Sequence, residues 1–330
     1  MKPSQLIEAL KCAIDQRIST FIWGVCGIGK SALPRLIADQ RKIGLCDIRA
    51  VLLDPVDLRG LPRIDGDKTV WVPPAFLPRD GEGILFLDEL PAAPQMVQAA
   101  CYQLVLDRKL GEYSLPDGWS VIAAGNPASE RGVHFAMPRP LRNRFLHLTL
   151  EPDLDEWCVW AMEGQRIRHE IVAFLRFRRE LFISPGQPND NAWATPRTWE
   201  MTSRALDGLI KAGASKETVF AVLSGTIGEG TAGEFTAFLT MLHTLPSIDA
   251  ILLDPQGAPV PVGPSERIAV ATGLGRVITP HSIGKALAYL GRLPAEFVVL
   301  AMRDASTRDS AITHTPEFTG FATQYQGVIA

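Results

Sequence analysis

The sequence predicts an α/β protein: a parallel sheet sandwiched between helices, followed by an all-α second domain and a C-terminal extension. Three observations carry this reading. Strand and helix patterns alternate through residues 1–150, helical periodicity takes over after about Glu151, and proline and glycine become frequent again from Thr244 onward. The domain boundaries read accordingly as 1–150, 151–245 and 246–330, the last of unassigned role.

The elements come in order. An amphipathic helix opens the chain. Thr20 to Gly24 reads as a buried strand, and Ala32-Leu33-Pro34-Arg35-Leu36-Ile37 continues as a helix. Ile48 to Leu53 reads as a second strand and Gly83 to Leu87 as a third. Between them, Leu61 to Val72 carries Asp65-Gly66, a signal for a type I′ hairpin, with Pro62 confining its strand to an edge. A helix over Pro94 to Leu106, a small hairpin over Leu110 to Leu115, and strands over Ser120 to Ala124 and Leu146 to Leu150 complete the first domain. Consecutive strands separated by helices require parallel pairing.

In residues 151–245, Ile171, Phe174, Leu175 and Phe182 mark one apolar stripe, and Trp199, Leu206 and Leu209 another. Ser184 to Asn191 reads as a linker between two helices, and Ala214-Ser215-Lys216-Glu217 as a loop and cap entering a third. The extension contains a Pro/Gly stretch over Asp254 to Pro259 and short helices around Ile283 to Leu290 and Pro294 to Arg303.

At 330 residues the chain exceeds what one core usually supports, about 250–300 residues. A net charge of −3 gives no general basic excess for a nucleic-acid or membrane partner. Five widely spaced cysteines with no C-x-x-C pair argue against a disulfide framework and against zinc. Without a leader-like apolar segment or a run of about 18 apolar residues, the expectation is a soluble, cytoplasmic protein.

The chemistry concentrates in Gly24-Val25-Cys26-Gly27-Ile28-Gly29-Lys30-Ser31, a G-x-x-x-x-G-K-S loop set between strand and helix. Its glycines let backbone N–H groups converge on an anion, and the helix opened by Ala32 presents its positive end there. Lys30 supplies a charge for β- and γ-phosphate oxygens, and the Ser31 hydroxyl is a hard ligand for Mg²⁺. Two carboxylates, Asp88-Glu89, come directly after the apolar strand Gly83 to Leu87, at the strand edge where open α/β sheets collect ligands. Asp88 suits the Mg²⁺ shell, and Glu89, directed the other way, can polarise a water for in-line attack on a γ-phosphate.

Further along, Asn126-Pro127 ends the next strand, and its amide either orients the attacking water or simply forms a turn. Arg139, Arg142 and Arg144 precede the strand at Leu146; they either meet a helix dipole or serve as an arginine finger. Arg197 stands second in a helix after the cap Thr195 and Pro196, where a cation opposes the helix dipole unless an anion lies opposite; a surface partner or bound nucleotide would supply one.

With these motifs the chain resembles the AAA+ ATPases, and within them the MoxR-like branch. The resemblance covers roughly residues 1 to 245. It rests on the Walker A loop Gly24 to Ser31, Asp57-Leu58-Arg59-Gly60, the Walker B run ending Asp88-Glu89, sensor 1 Asn126, Leu141-Arg142-Asn143-Arg144-Phe145 and the sensor 2 motif Thr195-Pro196-Arg197. It implies an ATPase using ATP and Mg²⁺, with a helical lid over 151–245. It further implies a homo-oligomeric, hexameric ring in which Arg144, or else Arg142, completes a neighbour's site. The Asp65-Gly66 and Leu110 to Leu115 hairpins resemble inserts facing the ring's pore or upper surface, so Trp71 and Tyr113 either touch a client or pack locally. The implied client is a protein, often one bearing a von Willebrand A type domain. Residues 246–330 continue past the branch's usual end, so nothing is carried over to them.

Other signals are set aside. Gly228 to Gly233 matches G-x-G-x-x-G without a βαβ frame and reads as a loop between helices. His169-Glu170 begins an H-E-x-x-H run that position 173 breaks with Ala. Phe174 to Arg179 mixes basic and aromatic residues, which fits a helix with one apolar and one solvated face better than a nucleic-acid contact. The reading is a remodelling or chaperone-type ATPase. The alternatives are a nucleic-acid motor or loader, and a regulatory switch that binds ATP and scarcely hydrolyses it.

Overall fold

The computed structural model describes residues 1–128, 130, 135–184, 186 and 190–329. It divides into two compact units, Met1–Asp153 and Leu154–Ala330.

In the first unit, α1 (Pro3–Asp15) buries Leu6, Leu10 and Ala13 at helical spacing. Then come β1 (Thr20–Trp23), α2 (Ala32–Arg41), β2 (Gly44–Arg49), α3 (Pro55–Arg59), the hairpin β3 (Leu61–Asp65) and β4 (Lys68–Val72), β5 (Glu82–Asp88), and α4 (Gln95–Asp107). The small hairpin β6 (Lys109–Leu110) and β7 (Tyr113–Ser114), β8 (Gly118–Gly125), α5 (Arg139–Arg142) and β9 (Leu146–Thr149) complete it. Five strands form one sheet in the order β2-β5-β8-β1-β9. All its pairings are parallel. β5 and β8 lie inside the sheet, and their near-continuous buried runs are what a strand covered on both faces requires.

Parallel pairing puts the carboxyl ends of these strands on one edge. Trp23 pairs with Gly125, Leu87 with Ala123, and Arg49 with Asp88. The segments after β1, β5 and β8 therefore emerge side by side, which places Gly24, Asp88 and Asn126 together.

Several local expectations are corrected. The second strand runs over Gly44–Arg49, not Ile48 to Leu53, and a helical turn occupies Ala50–Leu52. As an edge strand, β2 is only partly buried, so the apolar run Ala50 to Leu53 outweighed it in the sequence. In the β3–β4 hairpin Asp65 pairs with Lys68, so the two turn residues are Gly66 and Asp67, and of these only Gly66 has positive φ. That is the glycine-first pattern rather than an Asp-Gly type I′ turn. Tyr113 is buried and its hydroxyl donates to the Pro78 carbonyl at 2.6 Å, which settles it as local packing. Trp71 is half-buried with the Arg59 guanidinium 5.0 Å from its ring centroid.

The second unit is helical: α6 (Leu154–Met162), α7 (His169–Phe177), α8 (Pro196–Lys211), α9 (Lys216–Ile227), α10 (Glu229–Leu242), α11 (Ile248–Leu253) and α12 (Pro264–Val277). It continues through α13 (Ile283–Leu290), α14 (Ala295–Arg308), α15 (Pro316–Gln324) and α16 (Gln326–Ile329). Phe174, Trp199, Phe235 and Phe238 form one aromatic cluster, with Phe174 and Phe235 centroids 5.1 Å apart. A second cluster surrounds Leu274, Tyr289 and Met302. Ser215 caps α9 by accepting from the Thr218 N–H. Gly228, with φ 84°, separates α9 from α10, so most of the G-x-G-x-x-G stretch is the first turn of α10 rather than a loop. Positions 185 and 187–189 of the expected linker lie outside the described residues.

Arg176 overturns the reading of a solvated basic face on α7. Its side chain is 8% exposed and Asp304 on α14 is 6% exposed. Arg176 Nη2 donates to Asp304 Oδ1 at 2.7 Å, and Nη1 also donates to Thr272 Oγ1 at 3.1 Å. The sequence could not show this because the partner lies 128 positions away. The α/β architecture read from the sequence, a parallel sheet between helices followed by an all-α region, is the one the structure has.

Candidate nucleotide site

Trp23 ends β1 and Gly24 opens the phosphate loop, whose Gly27 and Gly29 have φ of 77° and 96°. Lys30 is 8% exposed. Its ammonium donates to the Gly24 carbonyl at 2.7 Å, the Val25 carbonyl at 2.8 Å and Asn126 Oδ1 at 2.7 Å. Three acceptors among the described residues thus surround the ammonium, a group that only donates. Ala32 donates its N–H back to the Gly29 carbonyl at 3.0 Å, closing the loop onto α2.

The Cys26 N–H points at an anion. Glu130 sets both carboxylate oxygens on it, at 2.9 and 3.0 Å. A carboxylate there occupies the kind of position a phosphate oxygen takes on such a loop, so the loop's donors fit an anionic ligand. Sequence reasoning missed Glu130, which lies in an irregular segment after Asn126-Pro127 and carries no periodic or motif signal.

Ser31 Oγ donates to Asp88 Oδ2 at 2.7 Å, joining the end of the phosphate loop to the end of β5. This pair of hard oxygens fits Mg²⁺. The other Asp88 oxygen accepts from the Glu89 N–H at 3.0 Å. Glu89 does not continue the strand's alternation: it takes φ 56°, ψ 32°, the left-handed region, and its side chain is exposed. For a residue with a side chain this conformation costs about 1–2 kcal/mol. Close packing two residues later holds it in place. Pro91 lies so near Gly125 that a Cβ built on that glycine would come within 2.4 Å of Pro91 Cδ. The sharp turn therefore aims Glu89 from the sheet edge, and the glycine before Asn126 makes room for it.

Asn126 belongs to the site, since its side-chain oxygen accepts from Lys30. Arg142 and Arg144 are exposed, and among the described residues neither forms an ion pair. Arg197 lies in the second unit, exposed, in the first turn of α8, where the Thr195 hydroxyl caps the helix by accepting from the Thr198 N–H. It too has no ion pair among the described residues.

A separate charged cluster lines a cavity of about 280 Å³ in the second unit. Arg168 bonds Asp207 at 2.6 Å and also pairs with Glu170. Burial holds His169 below its ordinary 6.5. Burial also pushes Glu170 upward, but the charges of His169 and Arg168, with the Arg168 hydrogen bond, outweigh it and leave Glu170 below its ordinary 4.5.

No helix among the described residues is long and apolar enough to cross a membrane. No family model and no curated protein matches the chain. Among solved structures it is similar to the Thermotoga maritima RuvB Holliday junction branch migration motor, at 18% identity and a TM-score of 0.42, over 88% of this chain and 86% of that one. It is also similar to NtrX from Brucella abortus in complex with ADP, at 16% identity and a TM-score of 0.37, over 98% of this chain and 67% of that one. Likeness at this distance leaves the functional argument to the site's own residues.

Proposed function

We propose that the chain is an ATP-hydrolysing AAA+ protein of the MoxR-like branch, acting as a homo-oligomeric ring, hexameric by resemblance, that remodels a partner protein such as one with a von Willebrand A type domain. One observation supports the ATPase part above all. Lys30, Ser31, Asp88, Glu89 and Asn126 come from three separate strand ends and converge at one edge of a parallel sheet, linked through the Lys30–Asn126 and Ser31–Asp88 hydrogen bonds.

In this reading the loop amides and Lys30 take the β- and γ-phosphates. Ser31 and Asp88 would hold Mg²⁺, which when bound neutralises charge on the phosphate oxygens. Glu89 accepts a proton from water as the water oxygen bonds to the γ-phosphorus and the bond to the β–γ bridging oxygen breaks, releasing phosphate and ADP. Asn126 orients that water. Arg144, or else Arg142, reaches the γ-phosphate of a neighbouring copy, and Arg197 supplies a cation from the helical region. The ring, the helical lid and the client rest on the resemblance of the motifs.

Glu89→Gln separates binding from chemistry. It should hold ATP with near wild-type affinity while turnover falls about 10²–10⁴-fold. Lys30→Ala should lose ATP binding. Wild-type turnover in Glu89→Gln would show that Glu89 is not the base.

A further inference from the structure

The turn that carries Arg142 and Arg144 is anchored in the core by the buried Leu141 and Phe145, and one polar side chain, His147 on β9, also ties it to the entrance of the phosphate loop. Trp23, the last residue before the loop, donates its indole N–H to His147 Nδ1 at 2.9 Å. His147 Nε2 lies 2.7 Å from the Arg142 carbonyl oxygen. An indole nitrogen only donates and a carbonyl only accepts, so both bonds require the neutral ring with its proton on Nε2. The strand register explains the geometry: Phe21 pairs directly with His147, which puts Trp23 on the same face at the diagonal position. The Trp23 and His147 rings stack at 22°, with centroids 6.0 Å apart.

The Arg142 carbonyl also accepts from the Phe145 N–H at 3.3 Å, so the turn with Arg144 near its apex is closed at its base by two donors. α5 itself is four residues long and has little rigidity of its own. The path from Gly24 through Trp23 and His147 to Arg142 contains only one covalent step and two hydrogen bonds.

We propose that His147 is a positioning residue. It sets the orientation of the Arg142–Arg144 turn from the strand that feeds the chain's own phosphate loop, and so governs how the arginine is presented to a neighbouring copy. The inference rests on the trans-arginine reading above and adds the element that aims the arginine. A merely structural histidine in the β1–β9 pair would instead weaken the subunit's own nucleotide site along with its fold.

Mixed assemblies of full-length subunits distinguish these roles. His147→Leu removes both bonds; Trp23→Phe removes one while keeping an aromatic ring, and serves where the first variant fails to fold. Each should bind a fluorescent ATP analogue within about twofold of wild type and lose about 10–100-fold in turnover. Each retains Glu89, so mixing with Glu89→Gln subunits, which supply a correctly held arginine, should restore turnover as mixing Arg144→Ala or Arg142→Ala with Glu89→Gln does. Undiminished turnover in both variants overturns the proposal. So does a failure to complement where the arginine variants succeed. If neither arginine variant complements, the trans-arginine reading itself falls and the tie has nothing to aim.

Discussion

Glu130 sits with its carboxylate on the Cys26 amide, so a phosphate entering the loop has to displace it. A glutamine at this position would accept more weakly than a carboxylate, by about 1 kcal/mol. Glu130→Gln should therefore bind an ATP analogue about fivefold more tightly, read by titration; unchanged or weaker binding would mean that the carboxylate does not compete. Most of the residue-level site was legible because each member is tied to a pattern. Lys30 and Ser31 close a glycine-punctuated loop between strand and helix, and Asp88 and Glu89 end an apolar run. The left-handed turn at Glu89 was not legible, since it depends on Pro91 packing over Gly125, residues far apart in sequence.

At the scale of elements, that packing gives a prediction of its own. Gly125→Ala places a methyl against Pro91 and should destabilise the first unit by about 1–3 kcal/mol, with turnover falling further than stability alone explains because Glu89 is displaced. Thermal denaturation and ATPase assays on the same variant check this, and wild-type values in both would contradict it. The continuous apolar runs of the buried strands β5 and β8 are legible in the sequence, whereas partial burial leaves the edge strand β2 without such a run and shifts its expected range by four residues. In the second unit, the depressed values of His169 and Glu170 set a pH dependence. A group whose value is lowered by folding contributes stability above its unfolded value, and that stability is lost as the pH falls. The second unit's Tm should therefore drop as pH is lowered through 6.5, and again below 4.5. His169→Gln should remove the first drop; an unchanged profile would assign it elsewhere.

At the scale of the whole molecule, residues 246–330 were read as an addition of unassigned role, yet they help to build the second unit. Asp304 neutralises Arg176, the one cation on α7 that the apolar pattern would have sent to solvent. Removing one partner strands a buried charge: Asp304→Ala should cost about 3–5 kcal/mol, whereas Arg176→Met with Asp304→Leu should come back close to wild type in denaturant melts. If the single and double variants melt alike, the pair contributes nothing distinctive. The proposed assembly belongs to the same scale: the exposed Arg142 and Arg144, without an ion pair among the described residues, suit a target on another copy. ATP turnover per subunit, measured across a range of protein concentrations, shows whether another copy completes the site. Turnover that rises with concentration and levels off as subunits assemble is the predicted result; a constant rate per subunit, or none at any concentration, would contradict it.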